Sequence, residues 1–327
     1  MGKKLKVGIY GLNGHQICGL LKEHERCDFI AYAGIPEDYL SDYDQYKNGT
    51  LKYYNSLDEM IEKSGVEFVC ICSPMRSEQV EDAIKLLNAG IHVYSEKPAA
   101  FTEAQLEMIL EAEKNSTAEF HEIADTMFFE PYMTMSKLIK EGAIGEVVQV
   151  YAQKSYKGYL ETRPEDVNKD GGITRWVGIH AARFIEHVCG VKIKDVSAYE
   201  TTNGASEKAP SVVTASSISM SLENGGVAAM TVNYFNPLSF PLHGNETIRA
   251  FGTKGVIEIT DGGLRTHLWN DKGDMGEFAS IEDKTKSFLD YLVDHFLDGE
   301  PMPFDSETEL HPLRAVIRMK ESADKNK

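Results

Sequence analysis

The sequence predicts an α/β N-terminal domain built on a doubly wound parallel sheet, joined to an α+β C-terminal domain with an open, mostly antiparallel sheet. Two observations carry this. From Leu5 to about residue 121, short apolar runs of strand length alternate with segments of helical spacing, the pattern of parallel strands joined by crossover helices. Beyond residue 193, strand-like runs follow one another with few helices between them, as in an antiparallel sheet with helices on one face. The first domain is assigned to residues 1–121 and the second to 122–327, with the last helix free to pack back on the first domain.

In chain order, Leu5 to Tyr10 reads as a strand that runs into Gly11-Leu12-Asn13-Gly14-His15-Gln16, after which Ile17, Leu20 and Leu21 keep helical spacing. Phe29 to Ala33 is a second strand, Glu37 to Tyr46 a polar helix, and Leu57 to Ile61 a helical piece capped by Ser56. Val66 to Cys72 is a strand stopped by Ser73-Pro74. Val80, Ala83, Ile84 and Leu87 mark a helix that ends at Gly90; Ile91 to Tyr94 is the next strand, and Leu106, Ile109 and Leu110 lie on another helix. After a strand-like Ala118 to Ile123, a helix around Pro131 to Lys140 leads to the strand Glu146 to Gln153 and a polar stretch with Tyr156, Tyr159, Arg163 and Pro164. Later strands cover Val196 to Thr202, Val212 to Leu222, Val227 to Phe235, Thr247 to Phe251 and Val256 to Thr260, and helices return at Lys284 to Leu297 and Glu309 to Ala323.

Composition narrows the partners. A chain of 327 residues with 42% hydrophobic content supports two domains and a substantial core. The formal charge of −17, from 51 acidic and 34 basic residues, argues against nucleic acid and against an anionic membrane surface. The first ten residues fall short of a signal-peptide core or a membrane span. Five cysteines, an odd number, fit reduced thiols in a cytoplasmic protein. Cys70 and Cys72 share one face of a strand, and no CxxC or histidine-pair spacing points to zinc, so no metal is expected.

Three stretches fall at the carboxyl ends of predicted parallel strands, where ligands of a doubly wound sheet bind. They are the turn from Gly11 to Gln16, Ser73-Pro74, and Glu96-Lys97-Pro98. The first has the strand, turn, helix order that aims backbone N–H groups at a phosphate. Only one of three fingerprint glycines is kept there: Asn13 tolerates the turn, whereas Gln16 stands where a glycine permits close packing of helix on strand. A plain strand-to-helix turn is the competing reading. Lys97, where a buried strand emerges, can sit partly desolvated and move a proton near neutral pH; solvated turn charges beside Pro98 are the alternative.

The order of Val7-Gly-Ile-Tyr-Gly-Leu-Asn-Gly, Cys70-Ile-Cys-Ser-Pro, Ala89-Gly-Ile-His-Val-Tyr-Ser-Glu-Lys-Pro and Leu138-Ile-Lys-Glu-Gly-Ala-Ile-Gly-Glu-Val resembles the Gfo/Idh/MocA oxidoreductase family over nearly the whole chain. The resemblance implies an N-terminal Rossmann domain, a C-terminal open-sheet domain, and dimers or tetramers formed through that sheet. It implies that Lys97 lies near the nicotinamide and the substrate. It also implies a nicotinamide dinucleotide seated by Gly11, Leu12, Asn13, Gly14, His15, Gln16, Ser73, Pro74, Glu96 and Lys97. Where an acidic residue would hold the ribose of NAD stands Gly34, followed by Ile35-Pro36 with no basic residue close; the balance falls to NAD over NADP.

The segment from Gly171 to Ile185 is where the chain departs from the family. There a Gly-Gly pair leads into a helix with an Asp four residues before a His and often another Asp three after it. This chain keeps His180 but has Trp176 and Arg183 at the two acidic places. On one helix these three share a face. His180 then lacks a carboxylate to orient it, and Lys97 carries more of the proton transfer or a group from elsewhere stands in. A face with His180, Arg183 and Arg175 is cationic, which suits an acidic ligand held by Arg183, with Trp176 offering a flat surface to a sugar ring. The alternatives are an Arg183–Glu186 ion pair and a core tryptophan. After Ser73-Pro74, the family's polar pair is replaced by Met75-Arg76-Ser77-Glu78.

These residues lead to a cytoplasmic NAD(P)-dependent oxidoreductase moving a hydride between nicotinamide and a hydroxyl or ketone of a sugar, cyclitol or sugar acid. Lys97 and His180 are its catalytic candidates, and Lys97, Tyr156, Trp176, His180 and Arg183 its substrate contacts, with Lys154 a further one. Two other readings stay open: a non-catalytic or regulatory ligand-binding member of the fold, and redox-neutral use of bound NAD.

Overall fold

The computed structural model describes residues 2–123, 125–158, 160–280 and 286–326. Tyr159 of the polar stretch, and Lys284 where the sequence starts a helix, lie outside the described residues. The chain divides into two compact units: Met1–Ile123 with Asn168–Gly171 and Phe288–Glu309, and Ala124–Val167 with Gly172–Ser287 and Leu310–Lys327. The chain therefore passes between the units several times.

The first unit holds a six-stranded sheet of β1 (Leu5–Tyr10), β2 (Cys27–Ala33), β3 (Lys52–Tyr54), β4 (Phe68–Ile71), β5 (His92–Ser95) and β6 (Phe120–Glu122), in the order β3-β2-β1-β4-β5-β6. Every pairing is parallel. Strand order reverses between β1 and β4, so their carboxyl ends form the switch point of the sheet. All four residues of β4 are buried, as a central strand covered on both faces requires. Around the sheet run α1 (Cys18–Leu21), α2 (Asp44–Lys47), α3 (Leu57–Lys63), α4 (Gln79–Asn88) and α5 (Glu103–Lys114). Ser56 caps α3 by accepting from the Glu59 N–H at 3.1 Å, and Thr102 with Gln105 closes a capping box on α5.

Two helices differ from expectation. α1 is a single turn, and Leu20, one of the three residues with helical spacing, is 54% exposed. The segment Glu37 to Tyr46 is mostly a chain of turns, with Tyr39, Ser41 and Tyr43 N–H groups each bonded three residues back. The Tyr32 hydroxyl takes the Glu37 carbonyl, an acceptor that a helix would have used.

The second unit holds an eight-stranded sheet: β7 (Val147–Lys157), β8 (Ile193–Thr201), β9 (Ala215–Leu222), β10 (Val227–Asn236), β11 (Gly244–Gly252), β12 (Gly255–Thr260), β13 (Arg265–Asn270) and β14 (Gly273–Gly276), in the order β14-β13-β12-β11-β7-β10-β9-β8. β7 pairs parallel with β10; the other pairings are antiparallel. Ala228, Met230, Val232 and Tyr234 alternate inward along β10, opposite Val150 and Ala152 of β7 on the same face. Of the helices, α6 (Tyr132–Lys140) precedes β7, while α7 (Gly172–Trp176) and α8 (Gly178–Arg183) come between β7 and β8; α8 lies over β7 and β10. Finally, α9 (Phe288–Asp298) belongs to the first unit, and α10 (Ser306–Lys325) belongs to the second from Leu310 onward. Among the described residues no helix is long and apolar enough to cross a membrane.

Candidate functional site

The three suspect stretches of the first unit meet at the switch point. Gly11 has φ +71°, and a Cβ there would overlap the Cys72 carbonyl oxygen, so only glycine lets the ends of β1 and β4 close on each other. The Asn13 N–H donates to the same Cys72 carbonyl at 3.1 Å, and its side-chain amide donates to the Pro74 carbonyl at 3.3 Å. Gly14 has φ +133°, and a Cβ on it would lie 2.5 Å from Glu96 Cγ. Gln16 fills the space a third glycine would leave: its amide donates to the carbonyls of Gly11 (3.0 Å) and Cys70 (3.3 Å), while its Oε1 accepts from the Ile17 N–H at 2.9 Å. Gly14 and His15 are exposed. The Leu12 and Gln16 N–H groups meet no hydrogen-bond acceptor among the described residues. An accessible tight turn with N–H groups to offer fits a dinucleotide phosphate.

Below the turn lies a buried ionic network. Glu96 is fully buried and accepts from the His15 N–H at 3.0 Å; its other oxygen is 3.0 Å from His15 Nδ1, 3.7 Å from Arg76 and 3.8 Å from the Lys97 ammonium. Burial alone would push this carboxyl up, but Lys97, His15 and Arg76 outweigh it and hold it at about 2. Glu96 is thus a buried anion with Arg76 and Lys97 close beside it. Lys97 is only 1% exposed. Arg76 donates to the Lys97 carbonyl at 2.6 Å and to the Asn13 carbonyl. Gln79 ties in the strand ends, donating to Ser95 Oγ (2.9 Å) and the Glu96 carbonyl (2.5 Å), and accepting from the Ser73 N–H at 3.3 Å. The Ser73 hydroxyl donates to Asp82 at 2.7 Å. Arg76 and Gln79 went unrecognised in the sequence; two long polar side chains just after a strand-ending Ser-Pro were the available signal.

In the second unit, the residues from Trp176 to Arg183 do not share one uninterrupted helix: α7 ends at Trp176 and α8 starts at Gly178. His180 Nδ1 lies 3.3 Å from the Thr126 hydroxyl. Arg183 is 1% exposed. Glu186, offered by the sequence as its partner, meets His311 Nδ1 at 2.8 Å through both oxygens and accepts from the Ile193 N–H at 3.1 Å. Arg175 is half-buried, and desolvation pulls its pKa down against the opposing pull of Asp324, Glu200 and Glu321.

An aromatic and cationic cluster surrounds Trp176. Tyr156 lies 5.8 Å from it and 4.9 Å from His243, ring to ring. The Arg163 guanidinium sits 4.9 Å over the Trp176 ring and 4.3 Å over that of Tyr234. Lys154 is 4.9 Å from the Tyr156 ring and pairs with Glu246, its register partner across β7 and β11. One face of Trp176 is therefore taken by an arginine, which the sequence showed only as one member of a polar stretch.

This geometry accords with known proteins. Residues 11–123 match the model of an oxidoreductase family with an NAD-binding Rossmann fold, and residues 132–258 match the Gfo/Idh/MocA C-terminal domain. A solved structure of a Thermotoga maritima protein assigned as an oxidoreductase superposes with a TM-score of 0.87 at 27% identity, covering 99% of both chains. A trans-1,2-dihydrobenzene-1,2-diol dehydrogenase of Xenopus laevis is 26% identical over 64% of this chain and 60% of its own length. An inositol 2-dehydrogenase of Salmonella paratyphi B is 28% identical over 31% of this chain and 30% of its own. The matches span 27% to 41% of the length of the first curated relatives. With both halves matched in order and both sheets built as that fold requires, the chain belongs to the Gfo/Idh/MocA oxidoreductase family.

Proposed function

We propose that the protein is an NAD(P)-dependent dehydrogenase or reductase acting on a CH–OH group of a sugar, cyclitol or related polyol, in the cytoplasm and as a homo-oligomer. The observation that carries this is the buried Lys97, held by Arg76 and Glu96 at the same sheet edge as the Gly11 turn. In the oxidative direction the nicotinamide accepts the hydride. Lys97 hydrogen-bonds the reacting oxygen and helps shuttle its proton, with His180, oriented by Thr126, assisting. The named activities of the inositol and dihydrodiol relatives, both oxidations of ring hydroxyls, support the substrate class. Gly34 at the ribose position, with no basic residue beside it, favours NAD.

A non-catalytic, ligand-binding reading has one observation in its favour: Trp176, stacked with Arg163, stands at the place of the family's acid. Calorimetric titration with NAD and NADP, followed by a polyol and uronate screen read by NADH absorbance, separates the two. Binding of neither nucleotide would defeat the dehydrogenase. Nucleotide binding with no turnover on any polyol would favour the non-catalytic reading.

A further inference from the structure

Arg163 is held in an unusual way. Its guanidinium lies between the rings of Trp176 and Tyr234, at 4.9 and 4.3 Å. A guanidinium held by ring contacts keeps hydrogen-bonding capacity that an anion can use. Among the described residues Arg163 makes no ion pair, and its buried Nε has no hydrogen-bond partner. The side chain is half-buried, so water reaches only part of it. A partly desolvated guanidinium with no carboxylate partner among the described residues is suited to a planar anion, which a guanidinium can bind bidentately.

The neighbours set the charge and the shape. Lys154, the other cation of the cluster, is paired with Glu246, which leaves Arg163 as the cation of the cluster without an ion pair among the described residues. That matches a singly charged carboxylate better than a doubly charged phosphate. Tyr156 and the exposed His243 add ring surface beside Trp176, the kind of surface on which the apolar face of a sugar packs. Arg183, with 1% of its surface exposed, offers far less.

We propose that Arg163 is a carboxylate subsite, making this chain selective for acidic sugars or cyclitols over their neutral parents. The proposal rests on the dehydrogenase reading for its place in the reaction, but the subsite can be tested alone. The full chain, with and without NADH, is titrated calorimetrically with D-galacturonate, D-galactose and D-galactose 1-phosphate. The expected result is galacturonate binding about tenfold or more tighter than galactose, with Arg163→Met bringing the two within about twofold while the NADH affinity stays unchanged. If the Met variant does not fold, Arg163→Gln carries the same expectation.

Equal affinities in the wild type, a galacturonate preference that survives either substitution, or tighter binding of the phosphate than of the uronate would each overturn it. A purely structural brace would lower thermal stability on substitution and leave the ligand ratio where it was. Failure of NADH to bind would sink the dehydrogenase and leave the uronate ratio standing; a flat ratio with NADH bound would sink the subsite alone.

Discussion

The Arg76 guanidinium and the Lys97 backbone are joined by a 2.6 Å hydrogen bond from Nη1 to the Lys97 carbonyl, while the other terminal nitrogen of Arg76 binds the Asn13 carbonyl. One buried side chain thus fixes the glycine turn and the lysine turn together. Arg76→Met removes both bonds and a counter-charge of Glu96, and should lower the unfolding free energy by about 3 kcal/mol. Arg76→Lys should recover less than half, because an ammonium cannot reach both carbonyls as a fork does. Urea denaturation checks this; a loss below about 0.5 kcal/mol in the Met variant would show that the turns hold without it.

Lys97→Met tests the chemistry. On the proposed function, turnover should fall by about 10²–10⁴ while NADH affinity moves by only a few fold, the signature of a lost proton-transfer group. Fast kinetics with saturating substrate separates the two quantities. A variant that turns over like the wild type would remove Lys97 from the reaction.

Glu96 predicts an acid limb. Its carboxyl is held at about 2, below the ordinary value near 4.3. Because the folded pKa is depressed, its stabilisation is fully present above about pH 4.3 and is lost as pH falls toward 2. The loss is on the order of 3 kcal/mol. Glu96→Gln should be less stable at pH 7 and should show a shallower stability decline over this window. Equally steep acid limbs in both proteins would locate the effect elsewhere.

His121 predicts an alkaline limb. Burial would lower its pKa, but Glu309 at 2.9 Å and Glu119 at 3.4 Å overcome that and raise it to about 10. His295 reaches the same Glu119 carboxylate at 3.1 Å. A raised folded pKa means stability that is complete below about pH 6.5 and drains away as pH rises through 10. Unfolding free energies from guanidinium denaturation at pH 6.5 and 9.5 should differ by about 2–4 kcal/mol in the wild type and much less in His121→Gln. A pH-independent wild type would contradict this.

The fold class and the family were legible because period and motif spacing are local properties. The Ser56 cap and the α/β alternation needed only neighbours a few residues away. β13 was missed because only Leu268 of its six residues is buried, leaving weak apolar alternation to read. The polar composition of Glu37 to Tyr46 allows a helix, while the Tyr32 hydroxyl that claims the Glu37 carbonyl lies on β2. Gln16 looked like a damaged glycine. Its bond to Gly11 is local, but its bond to Cys70 depends on β4, more than fifty residues on. Arg163 is the same problem at larger scale, since Trp176 and Tyr234, its two rings, come from a helix and a strand that sequence spacing does not relate.

The single parallel pairing of the second sheet bears on how the protein is made. β7 ends at Lys157, yet its two neighbours are β10 and β11, which begin at Val227 and Gly244. During synthesis an eleven-residue strand waits with both edges bare while about seventy residues follow it out of the ribosome. Such long-separation pairing is slow and exposes edges to other chains. The nascent second sheet cannot close around its central strand until Gly252 has emerged, which makes that interval the one in which a chaperone would matter most.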